Sequence, residues 1–200
     1  MQADLLRLLS AREGHFRYES GYHARLWLDL DPLFLRPRAL QPFIQQLARQ
    51  LAPYHLDAIC GPMTGGALIA AWVAEALDLE FYSTERRVKP QQDGLYPVKY
   101  PLPVSLHRFA SGKRMAILDD VVSAGSAVRG SLLSLREAEA NVAVVGALLV
   151  LGDTAPEYFA AQDIAVETIV RQPNPLWRPA NCPLCAAGVP LEDYTPEGNG

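Results

Sequence analysis

At 200 residues, with 50% hydrophobic and 20% charged residues, the chain has the length and composition of one globular domain with a real core, not of a disordered segment. A formal net charge of -4 argues against a protein that holds nucleic acid by bulk electrostatics. No apolar run approaches the roughly 18 to 20 residues that span a bilayer, the start lacks the order of a signal peptide, and Cys60, Cys182 and Cys185 are too few for a disulfide framework. A cytoplasmic protein without membrane or nucleic-acid partners is the expectation.

The first 55 residues hold a leucine-rich start, the segment "GHFRYESGYHARLWLDLDP" and a helical pattern through "ALQPFIQQLARQL", and read as a hood and helices added to a core that begins at residue 56. Within that core apolar β-rich runs alternate with helical ones. "LDAIC" (56–60) is a strand, "GALIAAWVAEALDL" (66–79) a packed helix and "EFYST" (80–84) a strand. "RMAIL" (114–118), "NVAVVGALLVL" (141–151) and "DIAVETIV" (163–170) are further strands, with a helix over 126–140. Strands separated by helices of this length imply right-handed crossovers and an α/β fold with a doubly wound, mostly parallel sheet over residues 56–172. From Pro173 prolines recur at 175, 179, 183, 190 and 196, so residues 173–200 read as an irregular, extended tail.

Ligands of open parallel sheets bind at the carboxyl ends of the strands, so the loops there carry the functional reading. After "LDAIC" comes Gly61-Pro62-Met63-Thr64-Gly65-Gly66 and a helix start, a turn whose bare backbone can approach an anion. After "AIL" come Asp119 and Asp120, and then Ser123-Ala124-Gly125-Ser126 opening a helix. Carboxylates only accept hydrogen bonds, so they suit hydroxyl donors, whereas small residues permit a nest of N–H groups that suits a phosphate monoester. Acids for a vicinal diol followed by a nest for a phosphate describe a ribose 5-phosphate. Between Arg86 and Arg114 seven basic residues (Arg86, Arg87, Lys89, Lys99, Arg108, Lys113, Arg114) stand against one acid, Asp93. That segment reads either as a solvated edge or as a surface for a small, highly charged anion.

"AILDDVVSAGSA" resembles the phosphoribosyl pyrophosphate (PRPP) motif of type I phosphoribosyltransferases. "GPMTGG" resembles that family's pyrophosphate loop, and the basic segment lies where its mobile catalytic loop falls. "GHFRYESGYHARLWLDL" is similar, through Gly14, Phe16, Ser20 and Gly21, to the hood segment of orotate phosphoribosyltransferases. The resemblance covers about residues 10–152. It implies transfer of ribose 5-phosphate from PRPP to a nucleobase, orotate favoured, with release of pyrophosphate, with Mg²⁺ accompanying PRPP and a homodimer as the assembly. It places Asp119 and Asp120 on the ribose hydroxyls and Ser123, Ala124, Gly125, Ser126 and Ala127 on the 5-phosphate. Thr64, Gly65 and Gly66, closed over by Arg86, Arg87 and Lys89, fall on the pyrophosphate, with Arg87 and the two aspartates catalytic, and Phe16, His23 and Ser123 fall at the base. Arg87 stands where the family carries its catalytic lysine, Lys89 where it carries a histidine, and Ala24 where the hood motif ends in serine. Asp153 lies near the point where an arginine would meet orotate's carboxylate, which leaves Arg25 or His23 for that task. The rival readings are a purine-salvage phosphoribosyltransferase and a PRPP-sensing regulator with little catalysis.

In the tail, Cys182 and Cys185 ("CPLC") have the spacing of half a zinc site. A second tail across a dimer, or His15, His23, His55 or His107, would complete it. A metal-free structural turn is the favoured reading of this segment, and Zn²⁺ the second.

Overall fold

The computed structural model describes residues 2–88 and 94–193. Helix α1 (Gln2–Arg7) precedes the strands β1 (Ser10–Arg17) and β2 (His23–Asp29), and a 3-10 turn (Asp31–Leu35) delivers α2 (Pro37–Leu51), whose proline start needs no N–H partner. Next come β3 (Ala58–Pro62), α3 (Gly65–Leu77), β4 (Glu80–Thr84), β5 (Arg87–Val88), β6 (Val98–Lys99) and α4 (Val104–Ala110). The chain continues through β7 (Arg114–Val122), α5 (Ser126–Glu137), β8 (Asn141–Leu151), α6 (Thr154–Ala160) and β9 (Ala165–Gln172), and ends in β10 (Leu176–Trp177), α7 (Pro183–Ala186) and β11 (Glu192–Asp193). Among the described residues, no helix is long and apolar enough to cross a membrane.

The central sheet has five strands in the order β4-β3-β7-β8-β9, and every neighbouring pair is parallel. The chain leaves β3 toward β4 on one side and returns to β7 on the other. Because parallel crossovers keep one hand, this reversal sends α3 to one face and α5 and α6 to the other. Both faces are therefore covered, which is why β8 reads as an almost unbroken apolar run and is buried over nearly its whole length. Ala116 and Leu118 of β7 face Leu40, Ile44, Leu47 and Leu51 of α2 and Ile69 and Val73 of α3. Met115 and Ile117 point the other way, toward Val128, Leu132 and Leu135 of α5 and Phe159 of α6. Thus α2, although it precedes the first core strand, belongs to the layer over the core sheet.

A second sheet, in the order β10-β2-β1-β11, forms the hood. Its middle is the antiparallel β1–β2 hairpin and its edges come from the tail: Leu176 and Trp177 pair with Ala24 and His23, and Glu192 and Asp193 run parallel to Phe16 and Arg17. The Pro-rich tail is irregular, as its composition predicts, but each short extended piece is used as an edge.

Leu47 is fully buried at the centre of the α2 layer. Leu47→Ala is expected to cost about 2–5 kcal/mol, read as a lower urea midpoint with unchanged m-value.

Candidate active site

The central strands separate at their carboxyl ends. Pairing of β3 with β7 stops at Cys60 and Ile117, whereas β7 stays with β8 as far as Val122 and Val150. The cleft so opened lies at the switch point of the sheet, with the turn after β3 on one wall and the end of β7 on the other.

Asp119 and Asp120 occupy the β7 wall and are only 8% and 7% exposed. Each carboxylate accepts from the N–H of the next residue: Asp120 N–H donates to Asp119 Oδ1 at 3.0 Å and Val121 N–H to Asp120 Oδ1 at 2.7 Å. Burial raises the pKa of Asp119 well above the usual carboxylate range, and the charge of Asp120 adds to it. Burial raises Asp120 as well. Opposite, the turn after β3 approaches so closely that a Cβ on Gly65 would lie 2.1 Å from Asp120 Oδ2, and one on Gly66 2.6 Å from Asp119 Oδ1. Glycine is required here by space: backbone must lie against the acid pair where any side chain would collide.

Beyond β7 the chain turns through Ser123–Gly125 into α5. Gly125 takes φ +80°, the left-handed conformation that few side chains tolerate, and so aims the first turn of the helix. The Ser123 and Ser126 hydroxyls are buried and have no hydrogen-bond partner among the described residues. Buried hydroxyls are normally satisfied, so two of them at a helix N-terminus mark a place built for an acceptor such as phosphate.

A cavity of about 290 Å³ adjoins Asp119 and the Ser123–Ala127 loop. Asp119, Val121, Ser123–Ala127 and Leu151 form its floor, and Tyr18, Glu19, Ser20, Trp27, Leu28 and Leu30 of the hood form its roof. The Tyr18 and Trp27 rings meet edge-on, with centroids 6.0 Å apart. Glu19 connects hood and basic segment: it accepts from Arg86 Nε at 2.7 Å and from the Tyr100 hydroxyl at 2.7 Å. Tyr96 adds a third tie, its N–H donating to Ser20 O at 2.9 Å and its hydroxyl to Ala124 O at 3.3 Å.

The structure thus brings together Asp119, Asp120, Gly65, Gly66 and the Ser123–Ala127 loop, with Thr64 leading into the glycines. Arg86 reaches the rim through Glu19. Arg87 does not line the cavity: it is exposed, pairs with Glu85 at 2.8 Å and borders a neighbouring groove between β5–β6 and α5. Lys89 lies outside the described residues. Phe16 and His23 do not line the cavity: Phe16 is buried against Trp27 and His23 against His15. Neither Arg25 nor Asp153 lines the cavity; both are exposed.

No protein-family model matches the chain. Among curated relatives, it is 30% identical over 188 residues to the orotate phosphoribosyltransferase of Heliobacterium modesticaldum, covering 89% of this chain and 87% of that one. The chain belongs to the orotate phosphoribosyltransferase family. The Thermotoga maritima member is 27% identical over 180 residues, covering 90% of this chain and 89% of its own. Solved structures agree in fold: the orotate phosphoribosyltransferase of Aeropyrum pernix superposes with TM-score 0.64 at 22% identity, covering 86% of this chain and 94% of its own. An adenine phosphoribosyltransferase from Rhodothermus marinus superposes with TM-score 0.66 at 17% identity, covering 86% and 98%. The chain is a phosphoribosyltransferase: it moves ribose 5-phosphate from PRPP to a nucleobase and releases pyrophosphate.

Within this orotate phosphoribosyltransferase-family site the residues that the sequence did not single out are Tyr18, Glu19 and Trp27. A signal for the aromatics was present, since a tyrosine and a tryptophan sit on either side of the "ESGYH" turn. Glu19 carried none, because its value lies in meeting Arg86, 67 residues away.

Burying the acid pair costs stability in the unliganded protein, and it also sets the sign of the pH dependence. The folded-state pKa values lie above the unfolded value, so the folded chain binds more protons, and stability falls as pH rises from about 4 through the raised range. Asp119→Asn is expected to flatten that fall and to raise the unliganded melting midpoint at pH 7 by about 2–4 °C, measured by calorimetry. Gly65→Ala is expected to abolish detectable PRPP binding by calorimetric titration while leaving the far-ultraviolet dichroism unchanged.

Proposed function

We propose that the acceptor base is orotate and that the cavity under the hood holds it against Tyr18 and Trp27, beside the ribose 5-phosphate site. The observation that carries this reading is the cavity running from an aromatic roof to the Ser123–Ala127 nest, with the buried Asp119 carboxylate on its wall. The names of the curated relatives support orotate as the base.

Each part has a task set by its chemistry. The Ser123 and Ser126 hydroxyls and the N–H groups at the start of α5 hold the 5-phosphate. Asp119 and Asp120 accept from the ribose hydroxyls, and their negative charge favours the cationic character that develops at the anomeric carbon as pyrophosphate departs. The backbone of Thr64, Gly65 and Gly66 holds the pyrophosphate, and Arg86, Arg87 and Lys89 neutralise its charge. Arginine at 87 keeps that charge at any working pH, where a lysine could titrate. The buried acid pair beside the pyrophosphate turn also fits Mg²⁺, a hard cation held largely by substrate oxygens. When bound, Mg²⁺ supplies further neutralisation of the leaving group. Positioning and exclusion of water by the hood do the remainder.

Because the Arg87 side chain is exposed and borders a different groove, we infer that it serves the site of a second subunit in a homodimer. Asp119→Asn and Arg87→Ala are each expected to lower turnover by about 100-fold. Mixing the two variants after subunit exchange should return about one quarter of wild-type activity, the share carried by hybrid dimers with one intact site. No recovery, with exchange verified by mass, would assign Arg87 to its own subunit.

One observation favours a second reading: no basic side chain lines the cavity among the described residues, although orotate carries a carboxylate. A purine acceptor would need none. The deciding measurement is PRPP-dependent turnover across orotate, uracil, adenine, guanine, hypoxanthine and xanthine. Orotate should exceed each of the others by at least about 100-fold in kcat/KM, and preference for a purine would reverse the assignment.

A further inference from the structure

We propose that His15, His23, Cys182 and Cys185 form a structural zinc site that fastens the tail to the hood. The four side chains come from two parts of the chain more than 150 residues apart, yet their ligand atoms all lie within 4.8 Å of one another. His15 Nε2 is 3.1 Å from His23 Nδ1, 3.4 Å from Cys182 Sγ and 3.7 Å from Cys185 Sγ, and Cys185 Sγ is 3.3 Å from His23 Nδ1. A tetrahedron with Zn–N of about 2.0–2.1 Å and Zn–S of about 2.3 Å has edges of about 3.3 Å between nitrogens and about 3.6 Å between nitrogen and sulfur. The observed separations are those edges to within a few tenths of an ångström.

The local structure explains why these atoms converge. In the hairpin, His23 lies opposite Arg17, so His15, two residues before Arg17, is its diagonal neighbour on the same face. Cys182 precedes the single turn of α7 and Cys185 lies within it, which brings both thiols to that face. The His15 Nδ1–H donates to Val189 O at 2.8 Å. A carbonyl only accepts, so Nδ1 holds the hydrogen and Nε2 turns its lone pair toward the two sulfurs and His23. Fixing a ligand histidine through its other nitrogen is the usual support of a zinc site. His15, His23 and Cys182 are 1%, 3% and 3% exposed and Cys185 stands at the surface, so the cluster has one edge on solvent, while its four protein ligands leave no open position for chemistry. The set is two thiols and two imidazoles, a donor combination that zinc favours, and four protein ligands mark a structural role.

The site lies outside the substrate cavity but is linked to it. The tail it secures includes Asn174, whose side-chain amide donates to the Tyr18 hydroxyl at 3.3 Å, and both edge strands of the hood. Zinc here would hold together a sheet whose outer strands are only two residues long.

Metal analysis of the intact chain purified without chelator or added metal is the direct test. One zinc per chain is expected, released by a thiol-blocking mercurial and lowering the melting midpoint by about 10 °C. Cys185→Ser and His23→Ala should each lose the metal. Should either variant fail to fold, cobalt exchanged into the wild-type chain decides: thiolate-to-cobalt charge transfer together with the intense visible bands of tetrahedral Co²⁺ is expected. A chain that holds no zinc as purified and binds none when it is added overturns the proposal, as does retention of full zinc by Cys185→Ser or a disulfide between the cysteines in freshly purified protein. None of these readouts depends on which base the enzyme accepts.

Discussion

Two like charges, placed side by side at the end of the central strand and denied water, set the terms for the rest of this molecule. A buried carboxylate pair is unfavourable by itself, and here the cost is only partly offset by the N–H groups of the two following residues. What makes the arrangement useful is its surroundings: bare backbone on one side, unpartnered hydroxyls on the other, and an aromatic roof. Acids beside unpartnered hydroxyls and bare backbone suit a polyol phosphate, and any ligand that bonds these groups returns stability given up in the free protein.

The sheet topology supplies the place for that pair. Only at the switch point do neighbouring parallel strands lead their loops apart, and only there can the glycine turn after β3 and the end of β7 face each other across a cleft. The glycines answer a local demand, since anything larger at 65 or 66 would displace the carboxylates. Ser123 and Ser126 answer another, since their buried hydroxyls have no partner among the described residues and are open to an acceptor on a ligand. The hood completes the enclosure from a separate sheet, and Glu19 joins it to the basic segment through Arg86 and Tyr100.

Most of this core was legible in the sequence because its signals are local. The strand 80–84 and the strand 141–151 coincide with β4 and β8, where aromatic, β-branched and aliphatic residues favour extended backbone. The acid pair and the small residues after it lie together at the end of β7 and the start of α5, as their order in the sequence implies. The hood was less legible. Its segment could be matched to a hood motif, but its hairpin, and which residues of β1 and β2 face the cavity, depend on register and on a bulge between Glu13 and Phe16, neither of which leaves a mark in composition. Phe16 and His23 matched a pattern, while Tyr18 and Trp27 had the position. The tail was the least legible part. Prolines excluded long helices but did not show that Leu176, Trp177, Glu192 and Asp193 would pair with strands near the other end of the chain.

The hood is made from both ends of the polypeptide, and this orders events during synthesis. All five core strands have left the ribosome once residue 172 is clear, and the core can then close on its own contacts. The outer strands of the hood do not exist until Asp193 has been made. Until then the β1–β2 hairpin that carries the roof residues Tyr18 and Trp27 has both edges unpaired, and the roof is present but unbraced.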